Sequence, residues 1–70
     1  MKTIELSTKE KIEMREPKVR DIRLLQHVTN EEERTFKLIA NLTMKSEDEI
    51  NELCMKDYKT LQVGLVDFLG

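Results

Sequence analysis

Histidine and cysteine, the residues most typical of nucleophilic and zinc chemistry, are scarce in this 70-residue sequence. The chain has one histidine, His27, and one cysteine, Cys54, and they lie in different predicted helices with a third helix between them. It has no glycine-rich loop and no close pair of metal ligands, so we expect no catalysis and no cofactor or metal. His27 falls at the predicted end of a helix, where the helix dipole favours a cation. Cys54 shares an apolar stripe with Ile50 and Leu53, which predicts a buried side chain.

A second group of polar residues surrounds Pro17. Arg15, Arg20 and Asp21 are close enough in sequence for an arginine–aspartate ion pair to bracket the proline. Such a pair would lock the segment before Pro17 against the helix after it; alternatively, these side chains would recognise a partner. Residues 31–33 are three consecutive glutamates, which favour the first turn of a helix. They predict a solvated helix start and not a metal site.

The overall composition argues against a nucleic-acid-binding protein and against a membrane-spanning one. Twelve basic and fourteen acidic residues give a net charge of −2, and the signs are interleaved, unlike the basic stripe of a nucleic-acid-binding module. The longest charge-free run, residues 60–66, is far shorter than the roughly 20 residues that cross a bilayer. The N-terminus lacks a secretory apolar stretch, and one cysteine cannot form an internal disulfide. We expect one soluble domain over residues 1–70 in a reducing cytoplasm, without nucleic acid or membrane as partner.

The N-terminal fifteen residues predict a β-hairpin, residues 2–15. Ile4 and Leu6 alternate with polar residues, and Ile12 and Met14 repeat the pattern, which indicates strands over about residues 2–6 and 11–15. Pairing Ile4 with Met14, and Leu6 with Ile12, keeps the four side chains on one face. This register centres the predicted turn on Lys9.

The rest of the chain predicts four helices, over about residues 18–28, 30–44, 46–54 and 57–69. Pro17 suits the start of the first. Asn30 and Ser46 are suitable N-caps for the next two, and Ser46 forms a capping box with Glu49. Asp57 is the predicted cap of the last.

The expected fold class is therefore mainly α (α+β): an N-terminal β-hairpin followed by a compact bundle of three to four short helices. The helix over residues 30–44 is apolar on two sides and is predicted to be central. The predicted inner stripe of the first helix comprises Ile22, Leu25 and Val28. Three methionines are predicted to fill the core: Met14, Met44 and Met55.

The last predicted helix offers the clearest candidate contact surface. Its predicted inner face consists of Tyr58, Leu61, Leu65, Phe68 and Leu69. Val63 falls about opposite this face and Val66 on its flank, so both are candidates for contact with a partner. If the helix packs on both sides, the two valines belong to the core instead. Gly64 costs roughly 1 kcal/mol in a helix interior, which indicates a bend or a close backbone approach.

Three segments in order resemble the small tail assembly chaperones of contractile-tailed bacteriophages and prophages. Residues 15–21, Arg-Glu-Pro-Lys-Val-Arg-Asp, resemble the arginine, proline and aspartate signature of that family. Residues 38–43 resemble its next block, and residues 46–53 with 57–58, 61–62 and 68–69 resemble the third. The resemblance covers about residues 12–70. The chain departs from the family in the hairpin turn, where relatives usually carry a glycine and residues 7–11 have none.

The resemblance implies a non-enzymatic role in the host bacterial cytoplasm. Members bind the long helical tape-measure protein before the tail tube polymerises around it, and they are absent from the mature virion. In many relatives a ribosomal frameshift makes a longer form that recruits the tail tube protein. A second copy of the chain is another candidate partner. The candidate partner-binding residues are Val63, Val66, Phe68, Leu69, Arg15, Arg20 and Asp21.

Two other functions fit parts of the sequence. Residues 46–69 could form a helix–turn–helix of a DNA-binding regulator, although Lys56, Lys59 and Gln62 are the only long polar donors of its second helix. A structural connector or minor tail protein would have similar size and composition. Unlike a chaperone, it would remain in the purified virion.

Overall fold

The computed structural model describes residues 1–69 and confirms the expected fold class, a two-stranded hairpin followed by four helices. The elements in chain order are β1 Lys2–Glu5, β2 Lys11–Met14, α1 Val19–Leu24, α2 Glu31–Thr43, α3 Glu47–Asn51 and α4 Met55–Leu69. The hairpin packs against α2 and α4, and α3 packs against α2. The core lies where the apolar faces of these elements meet.

The hairpin buries the face that the alternation predicts. Ile4, Leu6, Ile12 and Met14 are all buried, and β1 pairs with β2 in antiparallel orientation. The predicted register was wrong by two residues, because Ile4 lies opposite Ile12 and Lys2 opposite Met14. A shift of two leaves every side chain on its face, since side chains alternate with a period of two.

The turn explains the observed register. The Leu6 carbonyl accepts the Lys9 N–H at 2.9 Å, and Lys9 has a φ of 71°, in the left-handed region. Three residues therefore connect Leu6 to Glu10, and the turn centres on Thr8. The Asp57 carboxylate also accepts the Ser7 N–H at 2.8 Å, which holds the turn against α4. Lys9 occupies the kind of position that glycine takes most easily.

Helix α2 is the central helix, as predicted. Asn30 caps it by accepting the Glu33 N–H at 3.0 Å. Leu38, Ile39 and Leu42 are almost fully buried, so the helix is covered on more than one side. The helix ends at a left-handed residue, Met44, which is exposed; the predicted core position for Met44 was wrong.

Helix α1 is shorter than predicted, because it ends at Leu24 instead of residue 28. The N–H groups of Leu25 and Gln26 bond three residues back, which tightens the chain into a turn. His27 therefore lies outside the helix and is exposed. Ile22 is also 38% exposed and does not belong to the core, so the predicted inner stripe of α1 was wrong at this residue.

The junction between α3 and α4 also differs from expectation. The Ser46–Glu49 capping box opens α3 as predicted, with the Glu49 N–H bound to Ser46 Oγ at 3.1 Å. Helix α4 begins at Met55 and not after Asp57, so Asp57 is free to bind the hairpin turn. The predictions of a buried Cys54 and of a core Met55 were wrong: both are exposed at the start of α4.

Gly64 allows α4 to lie against β1. A Cβ at this position would stand 2.5 Å from Ile4 Cδ1 and 3.5 Å from Ile4 Cγ1. Leu61 and Leu65, on the same side of α4, are buried in the core. The close backbone approach anticipated at Gly64 is therefore present, and it orients the outer face of α4 away from the hairpin.

Candidate functional site

Asp21 is the centre of a buried polar cluster that joins three elements. The Arg15 guanidinium donates two hydrogen bonds to its carboxylate, at 2.8 and 2.9 Å. The Lys18 N–H donates a third at 2.8 Å, and Asn41 Nδ2 of α2 lies 3.5 Å from Asp21 Oδ1. Asp21 is only 2% exposed, so α1 is held to the end of the hairpin and to α2.

The electrostatics of this cluster are those of a structural ion pair. The hydrogen bonds from Arg15 and from the Lys18 N–H hold the pKa of Asp21 well below its usual range, against the effect of burial. The carboxylate stays ionised and its oxygens are occupied. Arg20 is exposed and makes no ion pair among residues 1–69, although its positive charge also helps to lower the pKa of Asp21.

The outer face of α4 is the apolar surface that the sequence indicates. Val63 is 61% exposed, Val66 is 63% exposed and Leu69 is 58% exposed, whereas the neighbouring Phe68 is half-buried. The prediction of Leu69 on the inner face was wrong. Lys2 of β1 lies 4.9 Å above the Phe68 ring and 3.2 Å from Asp67, so the end of α4 is tied to the hairpin. Val63, Val66 and Leu69 therefore project from a helix whose C-terminal end is bound to the hairpin.

A groove lies between α2, the end of α3 and the start of α4. We name it the acidic groove; its lining includes Glu32, Glu33, Phe36, Leu53, Met55 and Tyr58. Its floor includes the rings of Phe36 and Tyr58, whose centroids are 6.3 Å apart. Burial and the nearby charge of Glu32 raise the pKa of Tyr58. The groove therefore combines an apolar floor with a negatively charged rim.

A second surface patch lies on α1 and has the opposite charge. We name it the α1 face; it consists of Val19, Arg20, Arg23 and Leu24. Val19 is 75% exposed and Leu24 is 64% exposed, so two large apolar side chains lie beside the two arginines on this helix. No other element packs extensively on α1, so the polar cluster at Asp21 is its principal anchor among the described residues.

Sequence reasoning missed both the acidic groove and the α1 face. The three glutamates were interpreted as a solvated helix start, but residues 32 and 33 also precede Phe36 by one helical turn. That spacing is the signal that could have shown acidic residues beside an apolar pocket. The α1 face had no comparable signal, because its exposure depends on how few residues pack over α1.

Within residues 1–69 no cluster of three or more histidine, cysteine, aspartate or glutamate side chains has the arrangement of a metal site. None of the helices described is sufficiently long and apolar to span a lipid bilayer. The surface features of the described residues are an exposed apolar face, an acidic groove and a basic, apolar patch.

Comparison with known proteins gives one match, to a protein family. The family model described as "Phage tail assembly chaperone proteins, E, or 41 or 14" matches residues 3–70, nearly the whole chain. No match was found among curated proteins, and none among solved structures.

Proposed function

Because the chain belongs to the phage tail assembly chaperone family, we propose that it binds the tape-measure protein of a contractile-tailed, myovirus-type phage. It keeps this client soluble until the tail tube polymerises, then leaves, so it acts in the host cytoplasm and is absent from the mature virion. The role is binding and not catalysis. The observation that carries the proposal is the exposed apolar face of α4, present on a chain of which 37% of residues are charged.

The outer face of α4 suits a long helical client. Val63 and Val66 are one turn apart on the helix, and Leu69 follows Val66 at the same spacing. An amphipathic client helix presents apolar side chains at three- and four-residue intervals and can lie along such a row. Since these side chains are already exposed in the free protein, contact with the client needs no unfolding of the chaperone core.

The direct test is co-expression with the tape-measure protein of the same phage. We expect the chaperone to move the client from the insoluble to the soluble fraction and to be recovered with it in a pull-down. The double variant Val63→Ser/Val66→Ser should keep its fold and lose this effect. The control Met44→Ser also removes an exposed apolar side chain, but on another surface, and should behave as the wild type.

Two results would contradict the proposal. One is a client that is equally soluble with and without the chaperone. The other is detection of the chain in purified virions, which would favour a connector or minor tail protein. A longer frameshifted form that recruits the tail tube protein is part of the proposal; an antibody against the hairpin should detect it as a larger band in infected cells.

A further inference from the structure

The α1 face is exposed to solvent, and its side chains lie outside the core and make no hydrogen bond to the Asp21 carboxylate. The side chains of Val19 and Leu24 contact water, and Arg20 and Arg23 lie beside them. Among the described residues neither arginine forms an ion pair. A helix face that mixes exposed apolar groups with unpaired arginines has the composition of a protein interface, in which arginine is enriched.

The acidic groove has the complementary composition. Phe36 and Tyr58 supply aromatic surface, and Glu32 and Glu33 supply negative charge at the rim. Glu32 has no ion-pair partner in the part of the chain that the structure describes, and Glu33 has only Lys37 at 3.9 Å on its own helix. The rim charge is therefore available to an incoming cation.

We propose that the acidic groove of one copy of this chain receives the α1 face of a second copy. Val19 and Leu24 lie on the aromatic floor, while Arg20 and Arg23 pair with the rim glutamates of the other copy. The two surfaces share no residue, so both can be engaged at once. The intramolecular anchor at Asp21 lies on the opposite side of α1 and is kept in the complex.

The area buried between the two copies determines how tightly they are expected to associate. Stable interfaces bury about 800 Å² per partner, and the α1 face belongs to a helix of six residues. The association should therefore be weak and depend on protein concentration. Since ion pairs between exposed groups are screened by salt, it should weaken further as ionic strength rises.

The test is a charge exchange measured by analytical ultracentrifugation of the full chain at low salt. The variant Arg20→Glu/Arg23→Glu places acid against acid, and Glu32→Lys/Glu33→Lys places base against base. Each alone should weaken self-association by at least about tenfold. An equimolar mixture of the two variants should associate again, because opposite charges then face each other. Circular dichroism establishes that each variant is folded.

Two controls make the same changes of net charge elsewhere: Lys9→Glu/Lys11→Glu on the hairpin, and Glu13→Lys/Glu16→Lys on and after β2. Both should associate as the wild type does. The proposal fails if the wild type is monomeric at every concentration, if the controls weaken association as much as the test variants, or if the mixture stays monomeric. A groove that binds the tape-measure protein but no second copy would also overturn it.

Discussion

Gly64 lies so close to Ile4 that the effect of Gly64→Ala on the free energy of unfolding depends on the Cδ1 methyl group of Ile4. Replacing a helix-interior glycine by alanine normally stabilises by about 1 kcal/mol. Here the new Cβ would lie 2.5 Å from Ile4 Cδ1, and Ile4 is itself buried. Moving that methyl group to an ordinary contact distance near 3.5–4.0 Å forces the isoleucine off its preferred rotamer or shifts the helix, at a cost of about 1–3 kcal/mol. We expect Gly64→Ala to destabilise the domain by about 1 kcal/mol.

The variant Ile4→Val removes Cδ1 and leaves Cγ1, which is 3.5 Å from the built Cβ and therefore in ordinary contact. Alone, Ile4→Val should cost about 1 kcal/mol through the lost burial. In the Ile4→Val background, Gly64→Ala should become stabilising by about 1 kcal/mol. The coupling between the two positions is then about 2 kcal/mol, well above the roughly 0.5 kcal/mol of independent sites.

The measurement is the free energy of unfolding in urea, followed by circular dichroism, for the four proteins of the cycle. A control cycle replaces Ile4→Val by Ile12→Val. Ile12 is also buried, on β2, but contributes none of the three atoms nearest the built Cβ. The reasoning is refuted if Gly64→Ala has the same effect in the wild-type and Ile4→Val backgrounds, or if the Ile12 cycle shows the same coupling.

Two further predictions concern the hairpin turn and the polar cluster. Lys9→Gly should stabilise the domain by about 1 kcal/mol in urea unfolding, because Lys9 has a φ of 71° and an L-residue pays roughly 1–2 kcal/mol there; Lys9→Ala, which keeps the Cβ, should not. The low folded pKa of Asp21 makes the cluster stabilising above the unfolded pKa of about 3.9, and this contribution is lost as the pH falls toward the folded value. The thermal midpoint should accordingly fall less between pH 6 and pH 3 in Asp21→Asn than in the wild type, and an equal fall in both proteins would contradict this account.

The sequence predicts those elements whose signals are local. The alternation of Ile4 and Leu6 and the capping box at Ser46 depend on neighbouring residues alone, and the structure contains both. Asp57 was misinterpreted because an aspartate near a helix start can cap its own helix or accept an N–H group from elsewhere. Here it binds Ser7, fifty residues away, and only the packing of the hairpin on α4 decides between the two.

The exposed residues were harder to predict for a related reason. Burial of a short helix depends on the surfaces that happen to cover it, and the periodicity of α1 does not contain that information. The expected inner stripe therefore placed Ile22 inside, whereas the structure leaves it outside the core and partly exposed. On α4, by contrast, Gly64 and Leu61 mark the inner side, so the outward position of Val63 follows from helical geometry.

The structure also separates the roles of residues that the family signature groups together. Arg15 and Asp21 bind each other through two hydrogen bonds, so their side chains are committed to holding α1 on the hairpin. Arg20 lies between them in sequence but is exposed to solvent, and its loss would leave that pair intact. Arg20 acts on the buried cluster only through its charge, the smallest of the causes that lower the pKa of Asp21, and it forms no ion pair among the described residues. We therefore expect Arg20→Ala to keep the thermal midpoint and to weaken partner contact, whereas loss of Asp21 weakens the fold itself.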